Sequence, residues 1–500
     1  MIELLVVNLA SLAGGLWFTS WKGSEQVLEE NVIPNVSFVR RHTKMRFYEG
    51  RRIRSCSLFR YRRKSKSKAK ARIDLAKNSD GNGEQFDDYD SAINNRSRKV
   101  IAGRLRDADR KDEKIKVLFL ISDTGGGHRA SAQALDSAFN ILYPNRIKIE
   151  VIDILTEHSN WPMNSSVSAY QYAAKNPIVW RIMYEIARFP LSRHLSNEIM
   201  GLQNCGMFID AFEKHAPDFV VSIHPLTQNL PLKALRAMSS DRDKKREVPF
   251  VTIVTDLGSA HPTWFDKSVD KVFVPSESVM NVAFSVGVHG NKIKNFGLPI
   301  RPEFWSDPKP KDQLRKELNM KINAPAVMVV GGGDGVGGLR NIAIGIIERL
   351  SDAAIEGHHM QIIVVCGKNA ALREELMAMK VYQGLSLQIL GFVKNMDMWM
   401  GAVDVIVTKA GPGTIAEAAI RGLPIMLSGY LPGQEEGNVP LVVNGGYGAF
   451  CSKPKDIANT VASWLTDKQL LKRMSENAKR AARPSATFDI ANEIGKMIFE

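Results

Sequence analysis

From residue 114 onward, continuous apolar runs alternate with stretches that carry apolar residues at helical spacing. The first run, KIKVLFLIS, has the length of a strand and shows no alternation of polar and apolar positions. The later stretch RASAQALDSAFNILY has apolar residues on one helical face, among them Leu135 and Phe139. Strands that are apolar on both faces are typical of parallel sheets covered by helices on both sides. The pattern therefore predicts an α/β fold.

The alternation occurs twice, with a proline-rich break between the two series at residues 295–325. The further predicted strands are IKIEVIDI, DFVVSIHP, FVTIVTD and KVFVPS before the break, and AVMVVGGG, QIIVVCG, SLQILGF, VDVIVTK and PIMLSG after it. We predict two Rossmann-like domains, at residues 114–300 and 301–500, with the option that the last helix packs back on the first domain. Ligands of such sheets bind at the carboxyl ends of strands, so the site is expected in the cleft between the domains.

Residues 1–113 differ in composition and are predicted to be a targeting or disordered leader. The segment 37–72 holds 15 Lys and Arg but one Glu, which equals the whole net charge of +14. Because this excess lies outside the folded body, it does not indicate a nucleic-acid-binding domain. An Arg- and Ser-rich, acid-poor segment is typical of an organelle transit peptide, and a basic tail that touches anionic lipid or nucleic acid is the alternative. Residues 1–20 are apolar but lack the charged start of a signal peptide, which leaves that assignment open.

Neither the cysteines nor the acidic residues indicate a metal site. The cysteines lie far apart and form no C-x-x-C motif, which favours a reducing compartment; they are Cys56, Cys205, Cys366 and Cys451. The DYD motif at Asp88–Asp90 resembles a metal-chelating motif, but it lies in the leader, so we predict no metal. After residue 20, no segment is apolar over 18 residues, and no membrane-spanning helix is predicted.

The glycine-rich stretch TGGGHRAS, residues 124–131, joins the first strand to a helix that is predicted to begin near His128. Glycines let the backbone approach a ligand, and the positive end of a helix binds anions and lowers the pKa of a histidine. A general base must be unprotonated before it acts. We hypothesise that His128 deprotonates an acceptor hydroxyl; a histidine that only caps the turn is the alternative.

Two glycine-rich turns in the second half indicate phosphate binding. In VVGGGDGVGG, three glycines match G-x-G-x-x-G, but the next strand does not end in an acidic residue, so a nicotinamide site is not predicted. In TKAGPGTIAE, a strand ends at Lys409 and Thr414 is predicted to open a helix. One interpretation is a capping box of Thr414 and Glu417; the other is a diphosphate on the amides of Gly413 and Thr414, with Glu417 on the ribose. A packing turn is the alternative for the first motif.

Two further stretches suggest a sugar and a membrane. The loop GYLPGQEEGNVP presents Gln434, Glu435 and Asn438 between glycines, a set that suits the hydroxyls of a sugar; a solvated loop is the alternative. The stretch 157–194 mixes aromatic residues with Lys and Arg, which is typical of a membrane interface. An ordinary long helix packed on the sheet is the alternative there.

Seven motifs together resemble the monogalactosyldiacylglycerol synthases of plants and algae: SDTGGGHRASAQA, DFVVSIHP, VTDLGSAHPTWF, FGLPIRPEF, VVGGGDGVGG, TKAGPGTIAEAAIRGLP and GYLPGQEEGNVP. They occur in order and at normal spacing over roughly residues 114–498. The resemblance implies a GT-B glycosyltransferase fold. Its first domain would bind the acceptor and face a membrane, and its second would bind a UDP-sugar.

The resemblance also implies an activity. Galactose would pass from UDP-galactose to the sn-3 hydroxyl of 1,2-diacylglycerol, with inversion, without a metal or other cofactor. The enzyme would lie peripherally on a plastid envelope membrane and be stimulated by anionic lipids. Nucleic acid is not an expected partner, and the oligomeric state stays open, with a homodimer as one option. A UDP-glucose-dependent diacylglycerol glucosyltransferase and a catalytically dead lipid- or nucleotide-binding relative are the alternatives.

Residue roles follow from the same resemblance, with His128 as the base that deprotonates the glycerol hydroxyl. The expected UDP-sugar set is Arg301, Gly331, Gly332, Gly333, Gly335, Lys409, Gly411, Gly413, Thr414, Glu417, Gln434, Glu435 and Asn438. Arg301 and the Gly331–Gly335 turn would hold the diphosphate, and the last three residues would hold the galactose. The expected acceptor set is Gly126, Gly127, Trp161, His224, Pro262 and Trp264.

Overall fold

The computed structural model describes residues 114–239, 247–331, 338–355, 359–379 and 383–500. The leader at 1–113, with its Asp88–Asp90 motif, lies outside these ranges. Three of the glycines expected to hold the diphosphate also lie outside them: Gly332, Gly333 and Gly335.

The first sheet has six parallel strands within the described residues. They are β1 Ile115–Ile121, β2 Ile147–Asp153, β3 Phe219–Ser222, β4 Phe250–Ile253, β5 Lys271–Val274 and β6 Ile293–Asn295. Their order across the sheet is β2-β1-β3-β4-β5-β6. The strand order therefore reverses between β1 and β3, which is where ligands of open parallel sheets bind.

The second sheet is also parallel, with six strands in the part of the chain that the structure describes. They are β7 Ala326–Val330, β8 Met360–Val365, β9 Leu385–Leu390, β10 Val405–Lys409, β11 Ile425–Gly429 and β12 Gly448–Phe450. The order β12-β11-β10-β7-β8-β9 is that of the dinucleotide-binding Rossmann sheet, with the reversal between β7 and β10. The prediction of two Rossmann-like α/β sheets is confirmed.

Helices cover both faces of each sheet. The first series comprises α1 Gly126–Leu142, α2 Ile154–Glu157, α3 Ser166–Lys175, α4 Pro177–Arg188, α5 Pro190–His215, α6 Asn229–Ala237 and α7 Glu277–Val286. The second comprises α8 Lys311–Glu317, α9 Leu339–Ile355, α10 Ala370–Met377, α11 Met396–Ala402, α12 Pro412–Ile420, α13 Asn438–Asn444, α14 Pro454–Thr466, α15 Lys468–Ala481 and α16 Ala486–Phe499. Along β1, Leu118 and Leu120 pack on the side of α5 and α6, whereas Phe119 packs on the side of α1. This two-sided burial explains why the strands show no polar alternation.

The last helix, α16, packs on the first sheet rather than on the second. Ile490, Ile494 and Ile498 are buried in one core cluster with Phe119 and Phe139. The hydroxyl of Thr487, at the start of α16, accepts from the backbone N–H of Ile300 at 2.8 Å. The first domain is therefore completed by residues from the end of the chain.

Two helices begin earlier than the sequence predicted. Helix α1 begins at Gly126 instead of near His128, with Gly125 as its N-cap. Helix α12 begins at Pro412 instead of at Thr414, with Gly411 as its N-cap. Proline is favoured at the first helical position because it has no N–H to leave unbonded. The capping-box interpretation of Thr414 and Glu417 is therefore wrong, since Thr414 lies inside the first turn.

The stretch 157–194 folds into α2, α3, α4 and the start of α5 rather than into one long helix. Within the described residues, no helix has the length and apolar character needed to cross a membrane.

Candidate active site

His128 lies in the first turn of α1, directly after β1. Its Nδ1 lies 3.1 Å from the hydroxyl oxygen of Thr255, which follows β4. Burial lowers the pKa of His128 to about 4, against the opposing effects of a backbone hydrogen bond with Ile223 and the charge of Asp123. The residue is half-buried and therefore remains accessible. A neutral imidazole that donates from Nδ1 to Thr255 has its lone pair on Nε2, where it can accept a proton.

His224 lies beside His128, with the two ring centroids 4.6 Å apart. Its Nδ1 accepts from the backbone N–H of Leu226 at 3.2 Å, so the ring proton lies on Nε2, which is 3.2 Å from the hydroxyl of Thr124. Burial, and secondarily the neighbouring His128, lower the pKa of His224 well below its usual value. The two residues follow β1 and β3, so the strand reversal of the first sheet brings two neutral imidazoles together.

Trp264 also lies near the base, with its ring centroid 6.0 Å from that of His128. Its side chain is fully buried, and its Nε1 donates to Oδ2 of Asp256 at 2.7 Å. The structure thus places this residue behind the site, as a support of Asp256, and not on a surface that a lipid could contact.

Asp256 is a site residue that the sequence analysis missed. Its carboxyl is buried and accepts from Trp264 and, at 3.3 Å, from Nε2 of Gln434 in the second domain. Burial raises the pKa of Asp256 to about 6, although these two hydrogen bonds oppose the shift. A signal was present in the sequence, because Asp256 follows the strand run FVTIVT at the sheet edge where ligands bind.

The loop after β4 meets the predicted sugar loop of the second domain. The N–H of Gly258 donates to Oδ1 of Asn438 at 2.6 Å, and the hydroxyl of Ser259 donates to the carbonyl of Gln434 at 3.3 Å. A Cβ at Gly258 would overlap the carbonyl of Gly437, so the two backbones touch. Asn438 also donates to the carbonyl of Ala410 at 2.8 Å, so its amide connects three chain segments.

Glu435 and Lys409, both expected to bind the UDP-sugar, form an ion pair with each other. Glu435 is buried and also accepts from the N–H of Leu431 at 2.8 Å. Lys409 ends β10 and lines a small cavity with Gly331, which follows β7. The strand reversal of the second sheet therefore brings these two predicted residues together.

Arg301 and Glu417 form a bidentate pair, with both N···O distances at 2.7 Å. Glu417 is buried, and burial raises its pKa against the effect of Arg301. Arg301 was expected on the diphosphate and Glu417 on the ribose. In the structure the two residues neutralise each other's charge. Gly413 and Thr414 lie in the first turn of α12, where backbone N–H groups have no partner within the helix.

A cavity of about 250 Å³ lies in the first domain beneath α4 and α5. Its walls are mainly apolar, including Met163, Met183, Met200 and Leu230. Pro262, expected at the acceptor, lines this cavity. Trp161, also expected there, is half-exposed next to Pro162, which lines the cavity too.

The helices above this cavity expose large apolar side chains. Ile178 is 77% exposed and Leu191 is 79% exposed. Others on the same stretch are Trp161, Tyr172, Ile182, Phe189, Leu195 and Leu202. Such a concentration of exposed apolar residues in one segment marks an interaction surface. Helix α4 also reaches the second domain, because Nε1 of Trp180 donates to the carbonyl of Pro432 at 2.8 Å.

Comparison with known proteins matches two family models. The model "Monogalactosyldiacylglycerol (MGDG) synthase" matches residues 128–300, and "Glycosyltransferase family 28 C-terminal domain" matches residues 326–489. A probable chloroplastic monogalactosyldiacylglycerol synthase of Glycine max is 42% identical over 389 residues, 77% of this chain and 71% of that protein. Monogalactosyldiacylglycerol synthase 1, chloroplastic, of Arabidopsis thaliana is 40% identical over 77% of this chain and 72% of its own length.

The chain belongs to the monogalactosyldiacylglycerol synthase family. The resemblance seen in the sequence is confirmed, and so is the GT-B glycosyltransferase fold of two Rossmann-like domains. At the level of fold alone, the MnaA–UDP structure from S. aureus is similar, with a TM-score of 0.50 and 13% identity over 76% of this chain and 96% of that one. The chain is thus a glycosyltransferase of the galactolipid-synthase family.

Proposed function

We propose that this family member transfers galactose from UDP-galactose to the sn-3 hydroxyl of 1,2-diacylglycerol, with inversion at the anomeric carbon. One observation carries the proposal: Thr255 and Asp256, neighbours in one loop, contact His128 and Gln434 respectively. The residue suited to be the base is thereby linked, through two adjacent residues, to the loop suited to bind the donor sugar.

The reaction needs one base and one leaving group. His128 takes the proton of the lipid hydroxyl at Nε2 while the hydroxyl oxygen forms a bond to the anomeric carbon. The bond from that carbon to the diphosphate oxygen breaks, and UDP leaves with the electron pair. A single displacement of this kind inverts the configuration.

The charge that develops on UDP is stabilised by groups of the second domain. The N–H groups at the start of α12, near Gly413 and Thr414, and the amide of Gly331 favour a diphosphate. Lys409, which is half-exposed and paired with Glu435, is proposed to share its positive charge with the diphosphate. Arg301 is likewise paired with a carboxylate, that of Glu417. In this proposal no metal is needed, because fixed donors and a cation do the electrostatic work.

The lipid acceptor is proposed to enter from a membrane surface on the first domain. The apolar cavity beneath α4 and α5 suits part of an acyl chain, and Pro262 links its wall to the loop near the base. The exposed side chains of Ile178 and Leu191 lie close in sequence to Arg181 and Arg188, a mixture that favours an anionic bilayer surface. We propose peripheral attachment to a plastid envelope membrane, since the relatives are named chloroplastic.

A product assay tests the proposal. The full chain is incubated with labelled UDP-galactose or UDP-glucose and mixed micelles of diacylglycerol, with and without phosphatidylglycerol. The proposal expects a β-galactolipid from UDP-galactose, at a higher rate with the anionic lipid. A glucolipid would reassign the donor, and no glycolipid with either sugar while UDP still binds would contradict the proposed reaction.

A further inference from the structure

Asp256 is held on one side by a group that can only donate. Its Oδ2 accepts from Nε1 of Trp264 at 2.7 Å, and the side chain of Trp264 is fully buried. An indole N–H has no alternative hydrogen-bonding role, so this bond fixes the orientation of the carboxylate. The other oxygen, Oδ1, is left to face Gln434 across the contact between the domains.

Gln434 is therefore restricted to one orientation of its carboxamide. An ionised carboxylate accepts and does not donate, so Gln434 must turn its Nε2 toward Asp256, as the 3.3 Å contact shows. The amide oxygen Oε1 then points the other way. This oxygen is buried and has no hydrogen-bond partner among the described residues.

A buried carbonyl oxygen without a partner is unfavourable unless a ligand supplies a donor. Gln434 lies in a glycine-framed loop, next to the Lys409–Glu435 pair and close to Asn438. A neutral hydroxyl is the donor that matches such an acceptor, and a sugar linked to a diphosphate at Gly413 would present several hydroxyls. The unbonded oxygen therefore points to the sugar part of the donor.

We propose that Asp256 is a positioning residue that fixes the carboxamide of Gln434, so that Oε1 accepts from a hydroxyl of the donor sugar. The identity of that sugar rests on the proposed function. The contact between Asp256 and Gln434 and the unbonded Oε1 do not depend on it. Asp256 itself touches neither sugar nor lipid in this scheme. Asp256 determines that Gln434 presents its amide oxygen, and not its NH₂ group, to the donor sugar.

The isosteric variant Asp256→Asn tests this directly. One oxygen of the carboxylate becomes an NH₂ group. Because Trp264 still requires an acceptor, the NH₂ faces Gln434, which must flip and present its own NH₂ to the sugar. We expect the Kd of UDP-galactose, measured by calorimetry, to rise about tenfold, because the sugar hydroxyl, which donated its proton to Oε1, must accept from the NH₂ group instead and redirect that proton. The Kd of UDP is expected to stay within about twofold of wild type.

A compensating pair separates positioning from a structural role. Gln434→Glu alone places two carboxylates together and should impair UDP-galactose binding. In the double variant D256N/Q434E, the new amide donates to the new carboxylate, whose second oxygen again faces the sugar as an acceptor. We expect the double variant to bind UDP-galactose at least about fivefold better than either single variant. Thermal unfolding of all three, compared with wild type, shows whether each is folded.

The outcomes decide the inference in either direction. If D256N shifts the Kd values of UDP and UDP-galactose equally, or the double variant is no better than the single ones, the positioning role is wrong. If D256N does not fold, Gln434→Met keeps the test, because it should weaken UDP-galactose binding while sparing UDP; equal loss of both would overturn the inference. If wild type binds UDP-galactose and makes no galactolipid, the proposed function fails while the binding ratios still decide the role of Asp256.

Discussion

Two imidazoles and one carboxyl define the chemistry of the first domain, and burial sets the protonation of all three. The sequence suggested that the helix start keeps His128 neutral, whereas in the structure it is burial that lowers the pKa of this residue. His224 is neutral for the same reason. Asp256 is affected in the opposite sense, because burial disfavours its charged form and raises its pKa.

The pH dependence of kcat/KM should reflect the ionisation of Asp256 and not that of His128. The pKa of Asp256 is about 6, so its carboxylate, which fixes Gln434, is lost as the pH falls through 6. His128, with a pKa of about 4, stays neutral over that range. We expect kcat/KM for UDP-galactose to fall below about pH 6, and the residual activity of D256N to be flat between about pH 5 and 7.

Four titratable residues interact with Asp256: Glu435, His261, Tyr170 and Tyr184. The shifts of the last three do not place their titration near pH 6. Burial lowers the pKa of His261 to about 4 and raises that of Tyr170 to about 12, both far from 6. Burial also raises the pKa of Tyr184. If kcat/KM of D256N still falls below about pH 6 as in wild type, Asp256 is not the group whose protonation causes the fall.

Two loops hold the domains together at the site, and glycine makes their approach possible. Gly258 touches the backbone of Gly437, and its N–H donates to Asn438. Neither contact was predicted from the sequence, because both join residues about 180 positions apart. A local pattern reports which segment is a loop, but not which distant loop it meets.

Gly258→Ala should separate these loops. The added Cβ overlaps the carbonyl of Gly437, and backbone atoms yield less readily than a flexible side chain. We expect galactolipid synthesis to fall about 100-fold, since a displacement of about 1 Å at a site has an effect of that order. The matched control is Gly206→Ala in α5, where the added Cβ meets no atom within 4 Å. If both variants retain wild-type rates, the loop contact is not required.

Helices α3 to α5 carry the apolar surface proposed to meet the membrane. The paired change Ile178→Gln and Leu191→Gln removes two of its most exposed apolar side chains without touching the core. We expect binding to vesicles that contain phosphatidylglycerol to weaken at least about tenfold, from the lost burial of two large apolar groups. Sedimentation with vesicles measures it, and Met377→Gln, an exposed apolar residue of α10, is the control. If wild type, the double variant and Met377→Gln all bind the vesicles equally, these helices do not form the membrane-binding surface.

A single position in the sequence does not separate the two domains, because α16, which follows the second domain, packs on the first sheet. Ile494 is fully buried there with Phe139. We expect Ile494→Ala to lower the free energy of unfolding of the first domain by about 2–5 kcal/mol, as is typical of large-to-small changes in cores. Urea unfolding measures this, and the exposed Val443→Ala is the control. A loss below about 0.5 kcal/mol would show that α16 does not complete the first domain in solution.

The sequence predicted the long central strands of both sheets, because fully buried strands leave continuous apolar runs. It missed β6 and β12, which are edge strands of three residues each and too short to form such a run. The sequence also placed the start of α12 at Thr414, because the N-cap is Gly411, followed by Pro412 as the first helical residue, and not a residue with a hydroxyl side chain. Asp256 was missed because its partner, Gln434, lies in the other domain.

The central claim is that His128 is the base of a galactosyl transfer to diacylglycerol. The most direct test is the turnover of His128→Ala with UDP-galactose and diacylglycerol in micelles, measured beside the Kd of UDP-galactose. We expect kcat to fall about 10²–10⁴-fold with an unchanged Kd, whereas the exposed His289→Ala behaves as wild type. Turnover by His128→Ala within about threefold of wild type would contradict the account.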